Sequence, residues 1–251
     1  MQCYQGFASM YDALMTGTPY EDWAAYIDKT LLAQFSERKR EEILVLDLAC
    51  GTGNITLRLA EMGYDLIGAD ASEDMLAEAN RKAYDADKRI LFLRQDMREL
   101  NLYGTVDATV CVCDGLNYIL SQDDLLTIFK RVKLFLNPGG IFIFDMNTEY
   151  KFKEMFGGQI FEGQGEGGEA YEWENFFDIN TGINEYRMTF YSLESGGAEA
   201  FEELHRQRAY PHADICNALL DAGFASVSMH DSYSNEPIKA ESAKVVFIAG
   251  V

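Results

Sequence analysis

The 251-residue sequence predicts an α/β protein: a doubly wound, mostly parallel sheet of seven strands with a small antiparallel insertion. Three observations carry that expectation. Strand-length apolar runs alternate with stretches of helical spacing from residue 43 onward, the pattern of a parallel sheet covered on both faces. A glycine loop, Gly51-Thr-Gly53, falls where the first run gives way to the first helical stretch. After Asp145 the alternation breaks into three strand-like runs, and it then resumes.

The elements follow in order. Residues 1–42 are polar and helical in pattern, with aromatics at Phe7, Tyr11, Tyr20, Trp23 and Tyr26, and form the expected N-terminal cap. Ile43–Leu48 reads as the first strand, and 54–62 as a helix with Ile55, Leu59 and Met62 on one face. Asp65–Ala69, Ile90–Leu93 and Val106–Cys113 read as strands two to four, with a helix over Glu73–Lys82. Ser121-x-x-Asp124 signals the start of a long helix carrying Leu125, Ile128, Phe129, Val132 and Phe135. Asn137-Pro-Gly-Gly140 ends that helix before a fifth strand, Ile141–Phe144. Residues 157–168 hold six glycines and read as a mobile loop. Runs near 169–179, 183–193 and 199–210 then make the antiparallel insertion, with Tyr171, Trp173, Phe177 and Ile179 on one face and a hairpin turn at Asn180-Thr-Gly182. A helix over Ala213–Ala222 and strands at Ala225–Met229 and Lys244–Ala249 complete the sheet. The sheet domain therefore comprises 43–148 and 211–251, and 149–210 is inserted into it.

The chain has 21 Lys+Arg against 41 Asp+Glu, a net charge of −20. Such a field repels polyphosphates, which argues against nucleic acid as partner and favours a neutral or amine-bearing small molecule. Acidity also serves solubility, and that is the plainer reading. The opening MQCYQGFASMYDALM lacks a basic region and a long apolar run, so no signal peptide and no membrane association are expected. Five cysteines, odd in number and mostly within apolar runs, fit reduced thiols in a cytoplasm. Cys111-x-Cys113 would put two thiols on one strand face, but buried structural cysteines are the better reading, and no metal site is expected.

The chemistry-bearing segment is Val45-Leu-Asp47-Leu-Ala-Cys-Gly51-Thr-Gly53-Asn54. Glycines there let backbone approach a ligand, and the following helix offers free N–H groups. Many α/β turns hold glycines for packing alone, so two further features matter. A dinucleotide fingerprint wants a third glycine where this chain has Thr56, and Asp70 ends the second strand, where a carboxylate can accept both hydroxyls of a ribose. Asp70 also suits a turn or cap role ahead of Ser72 and Glu73.

The segments LDLACGTGN (46–54), GADASEDML (68–76), RQDMREL (94–100) and NPGGIFIFD (137–145) resemble the successive motifs of class I S-adenosylmethionine-dependent methyltransferases. The opening YQGFASMYDALM and the inserted strands are similar to small bacterial enzymes related to glycine and sarcosine N-methyltransferases. The resemblance implies a Rossmann-like domain that binds S-adenosylmethionine. It implies that Gly51, Gly53 and Asp47 meet the methionine moiety, that Asp70 holds the ribose, and that Ala71 and Met75 border the adenosine. Asp96 would face the adenine amine, and Met97 would pack on the ring. Cys113 and Asp114 would lie under the sulfonium, with Tyr11 covering the methionine end. For Met75 and Met97, ordinary core packing is an equal alternative.

The methyl acceptor is expected beyond the carboxyl ends of the strands, near Asp114, Asn117, Tyr118, Asp145 and Asn147. Methyl transfer to a nitrogen or oxygen is an in-line displacement, so alignment is the main requirement, and a base is needed only if the acceptor must lose a proton. The candidates for catalytic work are Tyr11, Asp114, Asn117, Tyr118 and His205. Arg206 and Arg208 could anchor an acceptor carboxylate, while His212 and His230 read as element-end residues. The acidic run Glu162, Glu166, Glu169, Glu172 and Glu174 reads as a solvated edge, or as a field favouring an amine. A non-catalytic S-adenosylmethionine-binding protein and a nicotinamide-dependent oxidoreductase are the alternatives.

Overall fold

The computed structural model describes residues 11–12, 15–164, 170–194 and 197–251. Its centre is a seven-stranded sheet built from β1 (Leu44–Leu48), β2 (Asp65–Asp70), β3 (Leu91–Arg94), β4 (Val106–Cys111), β5 (Leu136–Asn147), β10 (Ser226–Asp231) and β11 (Lys244–Gly250), in the order β10–β11–β5–β4–β1–β2–β3. β1 pairs parallel with β2 and β4, whereas β11 runs antiparallel to both β5 and β10. The α-helices that lie wholly within the described residues are α1 (Tyr20–Gln34), α2 (Asn54–Met62), α3 (Glu73–Asp85), α4 (Gln122–Phe135) and α5 (His212–Asp221).

Two apolar layers cover the sheet. Leu46, Leu48, Phe142, Phe144 and Phe247 face one way, onto Phe129 and Val132 of α4 and Ile215 and Leu219 of α5. Val45, Val110, Ile143 and Val246 face the other, onto Ala24, Ile27 and Leu31 of α1 and Ile55 and Leu59 of α2. Strands buried on both faces read as unbroken apolar runs, which is why the sequence showed no polar alternation there. The helix starts follow their chemistry: the Ser72 hydroxyl accepts from Met75 N–H and the Ser121 hydroxyl from Asp124 N–H. Gly63 and Gly223, both at positive φ, follow α2 and α5.

The insertion is a second antiparallel sheet of four strands, β6 (Ile160–Gln164), β7 (Ala170–Asp178), β8 (Ile183–Glu194) and β9 (Gly197–Arg208). Three were expected. β6 lies within the stretch read as a mobile glycine loop, and its glycine has a packing cause: a Cβ on Gly163 would sit 2.5 Å from the Tyr171 ring. A short helical turn, Lys151–Phe156, leads into the insertion. Phe152 and Tyr186 are buried there, with Phe156, Trp173 and Phe177 against them. Ile179, expected on that face, lies in the β7–β8 turn and is 60% exposed. Gly182 takes φ +69° in the same turn. Among the described residues, no helix is long and apolar enough to cross a membrane. Cys3, Phe7, Glu166 and Glu169 lie outside the described residues.

Candidate functional site

The strand order reverses between β1 and β4, and ligands of open α/β sheets bind beyond the carboxyl ends of the strands at such a point. The backbone there turns sharply. After β1, Ala49, Gly51 and Gly53 take φ of 59°, 54° and 78°, and after β4 the consecutive residues Cys113 and Asp114 take 63° and 54°. For Ala49, Cys113 and Asp114 this conformation costs about 1–2 kcal/mol each, so surrounding groups must hold it.

Asp70 holds the first turn. Its carboxylate accepts from Gly51 N–H at 2.9 Å and from Ser72 N–H at 2.8 Å, joining the glycine loop to the start of α3. Burial pushes its pKa up despite those N–H groups. Asp47 lies deeper and accepts from the Thr56 hydroxyl at 2.5 Å. Burial raises its pKa to about 7, against the pull of that hydroxyl and with the charge of Asp70 adding to the rise. Thr56, the residue in place of a third glycine, therefore fixes this carboxylate.

The opening segment is tied to the same loop. Asp12 accepts from the Thr52 hydroxyl at 2.7 Å, the Asn54 amide at 2.8 Å and Lys82 Nζ at 2.7 Å. Burial pushes the Asp12 pKa up, but the Lys82, Thr52 and Asn54 hydrogen bonds outweigh it and hold the group below its ordinary value. Neighbouring Tyr11 then places its hydroxyl 3.6 Å from Cys113 Sγ.

These elements enclose a cavity of about 1100 Å³. Asp47, Ala49, Gly51 and Thr52 form one wall, and Asp70, Ala71 and Met75 the next. Asp96 and Met97 stand at one end, with Tyr11, Tyr20 and Cys113 at the other and Tyr118 on the α4 side. Burial pushes the Cys113 thiol up to about 12, so it is a neutral wall group rather than a nucleophile.

A buried charge cluster holds the second turn. Asp145, wholly buried on β5, accepts from Cys113 N–H at 3.2 Å, Asp114 N–H at 2.6 Å, the Tyr233 hydroxyl at 2.6 Å and Lys244 Nζ at 2.7 Å. Lys244 also reaches Asp114 at 3.3 Å. Burial pulls the Lys244 pKa down, but the two carboxylates outweigh this and raise it. From the insertion, the Gln207 amide donates to Asp114 at 2.6 Å, and the Tyr186 hydroxyl donates to Gln207 Oε1 at 2.7 Å. The inserted sheet thus meets the core through polar side chains beside the cavity.

The structure brings most of the expected residues together and sets some apart. Tyr11, Asp47, Gly51, Asp70, Ala71, Met75, Asp96, Met97, Cys113 and Tyr118 line the cavity. Gly53 does not: a Cβ there would meet Ala79 Cβ at 3.1 Å, so this glycine serves the contact between α2 and α3. Asp114 turns toward Gln207 and Lys244. Asn117 is wholly buried, donating to the Asn147 and Arg208 carbonyls and accepting from Asn147 N–H, so it fastens β5 to β9. Asp96 lines the cavity with its oxygens engaged by Arg98, which lowers its pKa.

His205 is buried, with Nδ1 3.3 Å from the Tyr118 hydroxyl. Arg206 is exposed and pairs with Glu185, and Arg208 donates to the Leu120 carbonyl, so their hydrogen bonds are structural. Cys111 and Cys113 do not share a strand face, because β4 ends at Cys111. Among the described residues, no cluster could hold a metal ion. Sequence reasoning missed Asp12, Thr52, Asn54, Lys82, Lys244 and Tyr233; their roles depend on pairings between segments up to 130 residues apart, as for Lys244 and Asp114.

The donor set suits S-adenosylmethionine. A buried carboxylate at Asp47 and a half-buried one at Asp70 match an ammonium and a ribose diol, apolar walls at Met75 and Met97 match a purine, and the loop at Gly51 has no protein atom within 4 Å of where a Cβ would lie. A family model described as a methyltransferase domain matches residues 45–140. The chain is 37% identical over 247 residues to YqeM of Bacillus subtilis (strain 168), named as a methyltransferase, covering 98% of this chain and 96% of that one. A crystal structure of an S-adenosylmethionine-dependent methyltransferase from Clostridium acetobutylicum ATCC 824 superposes with a TM-score of 0.86 at 30% identity, covering 100% and 99% of the two chains. The glycine/sarcosine N-methyltransferase of Parasynechococcus marenigrum (strain WH8102) is 32% identical over 48% of this chain and 43% of its own length. These likenesses favour neither the oxidoreductase nor the binding-only alternative, and the chain belongs to the S-adenosylmethionine-dependent methyltransferases.

Proposed function

We propose that the chain methylates a nitrogen atom of a small, polar, amine-bearing acceptor, and that the inserted segment 149–210 closes over that acceptor. The observation that carries this reading is the polar seam between insertion and core. Gln207 and Tyr186 reach Asp114 beside Cys113, and the buried side of the inserted sheet also carries Asn175, Asn184 and His205. A sheet packed only for stability would present apolar groups there, since each buried polar group must be matched by a partner. Further support comes from the acidic balance of the chain and from the N-methyltransferase named above.

In this reading Asp70 accepts the ribose hydroxyls, Asp47 draws in the cofactor's ammonium group, and Met75 and Met97 flank the purine. S-adenosylmethionine supplies an electrophilic methyl group on a sulfonium. Tyr11 and Cys113 border the reacting end, while Asp145 and Lys244 keep the Cys113–Asp114 turn in place. The protein's work is then alignment and exclusion of water.

Incubation of the protein with S-adenosylmethionine and a panel of amines, amino acids and hydroxy compounds, followed by mass spectrometry, tests this. N-methylated products are expected. Methylation confined to hydroxy compounds would refute the nitrogen assignment, and methylation confined to macromolecules would refute the small-acceptor assignment.

A further inference from the structure

We propose that Tyr118, His205 and Glu203 form a proton relay that takes the acceptor's proton away from the cavity and into the inserted sheet. The proposal rests on the reading above, that the acceptor is an amine, which is an ammonium ion at neutral pH and must lose a proton before it can attack.

The three residues come from distant parts of the chain. Tyr118 ends the short turn Gly115–Tyr118 after β4 and lines the cavity. Its hydroxyl lies 3.3 Å from His205 Nδ1 on β9, and the two rings meet edge to face at 5.9 Å. On the far side of the imidazole, Glu203 Oε2 lies 2.8 Å from Nε2, close to the ring N–H but off its line. The side chains of His205 and Glu203 are 2% and 9% exposed. Among the described residues, Tyr186 lies opposite His205 on β8, and its hydroxyl leads through Gln207 to the Asp114 carboxylate.

The arrangement has a direction. A carboxylate beside Nε2 favours the tautomer with its proton on that nitrogen, which leaves the Nδ1 lone pair toward the Tyr118 hydroxyl. Tyr118 then donates to His205 and turns an oxygen lone pair toward the cavity. The acceptor's ammonium proton passes to the Tyr118 oxygen, and the phenol's own proton passes to Nδ1. The resulting imidazolium is balanced by the Glu203 carboxylate. The freed nitrogen lone pair forms the new bond to the methyl carbon, and the electron pair of the broken carbon–sulfur bond stays on sulfur. Tyr118 is the catalytic residue in this scheme, and His205 and Glu203 are positioning residues.

Two measurements test the relay. The first needs no acceptor: ¹⁵N spectra of the three histidine rings with S-adenosylhomocysteine bound, His205 being assigned by its loss in H205Q. An Nε2–H tautomer with bare Nδ1 is expected; an Nδ1–H tautomer or an imidazolium at neutral pH overturns the relay. The second is the pH dependence of turnover for Y118F and E203Q with an amine from the panel. Near pH 7 both should lower kcat by about 10- to 100-fold with KM for S-adenosylmethionine within about twofold of wild type. The defects should shrink toward about pH 10, where an alkylammonium has lost much of its own proton. Defects that stay constant across pH overturn the relay, because a packing role would give that result. If wild type methylates hydroxy compounds and no amine, the amine reading falls while an Nε2–H tautomer still supports the relay.

Discussion

Gly51 and Gly53 look interchangeable in the sequence, and the structure separates them, so replacing each by alanine should give opposite phenotypes. Both have positive φ, so either alanine costs about 1–2 kcal/mol in backbone strain. At Gly51 the cost ends there, since no protein atom lies within 4 Å of the new methyl group. At Gly53 the methyl group meets Ala79 Cβ at 3.1 Å and Cα at 3.5 Å, a contact with a wholly buried residue of α3 that has no flexible end to move. Overpacking of this kind adds about 1–3 kcal/mol. For a domain of this size 1 kcal/mol moves Tm by about 2–4 °C. G53A should therefore lose about 4–20 °C, and G51A about 2–8 °C, with the G53A loss the larger. Affinity should follow the reverse order. In calorimetric titration with S-adenosylhomocysteine, G51A should bind at least about tenfold more weakly because its methyl group enters space left for ligand, and G53A should stay within about threefold of wild type. G51A with normal affinity, or G53A with normal Tm, would refute the division of labour between the two glycines.

Further expectations concern the carboxylates. Asp70→Ala should weaken S-adenosylhomocysteine binding by about 1–3 kcal/mol through lost hydrogen bonds to the ribose, as read by calorimetry; unchanged affinity would place the ribose elsewhere. Asp47 titrates at about 7 in the folded chain, far above its ordinary range. Between about pH 4 and 7 the folded state holds a proton that the unfolded state has released, so stability from this group is full below pH 4 and lost as pH rises through 7, on the order of 4 kcal/mol. D47N should flatten that part of the stability profile in denaturant titrations. Binding of a cationic ammonium beside Asp47 favours the carboxylate, so affinity for S-adenosylmethionine should rise between about pH 6 and 8, and D47N should abolish the rise. Lys244→Met leaves Asp145 buried without its cation and should cost about 3 kcal/mol in chemical denaturation, whereas adding Asp145→Asn should restore part of the loss.

The sheet was legible because its rules are local. Apolar runs buried on both faces, the Ser72 and Ser121 caps and the glycines at helix ends announce themselves within a few residues. β6 was not legible, because the same glycine that marks a loop also lets a strand lie flat against Tyr171. The cavity wall was legible at Asp47, Gly51 and Asp70 because the motif spacing puts them at the carboxyl ends of the adjacent strands β1 and β2. Gly53 reads like Gly51 until the neighbouring α3 is in place. The seam between the core and the insertion was the least legible: Lys244 with Asp145, Asn117 with Asn147, and Glu203 with His205 behind Tyr118 depend on which strands lie side by side. Asn117 shows the difficulty well, since its place after β4 suggests a site residue and its hydrogen bonds make it a fastener.

The most direct test of the site assignment is a crystal structure of the chain with S-adenosylhomocysteine. In that complex the ribose hydroxyls should lie on the Asp70 carboxylate, the purine between Met75 and Met97, and the sulfur beside Cys113 and Tyr11. A ligand seated with its ribose away from Asp70, or bound outside the space between the glycine loop and Tyr118, would contradict the assignment.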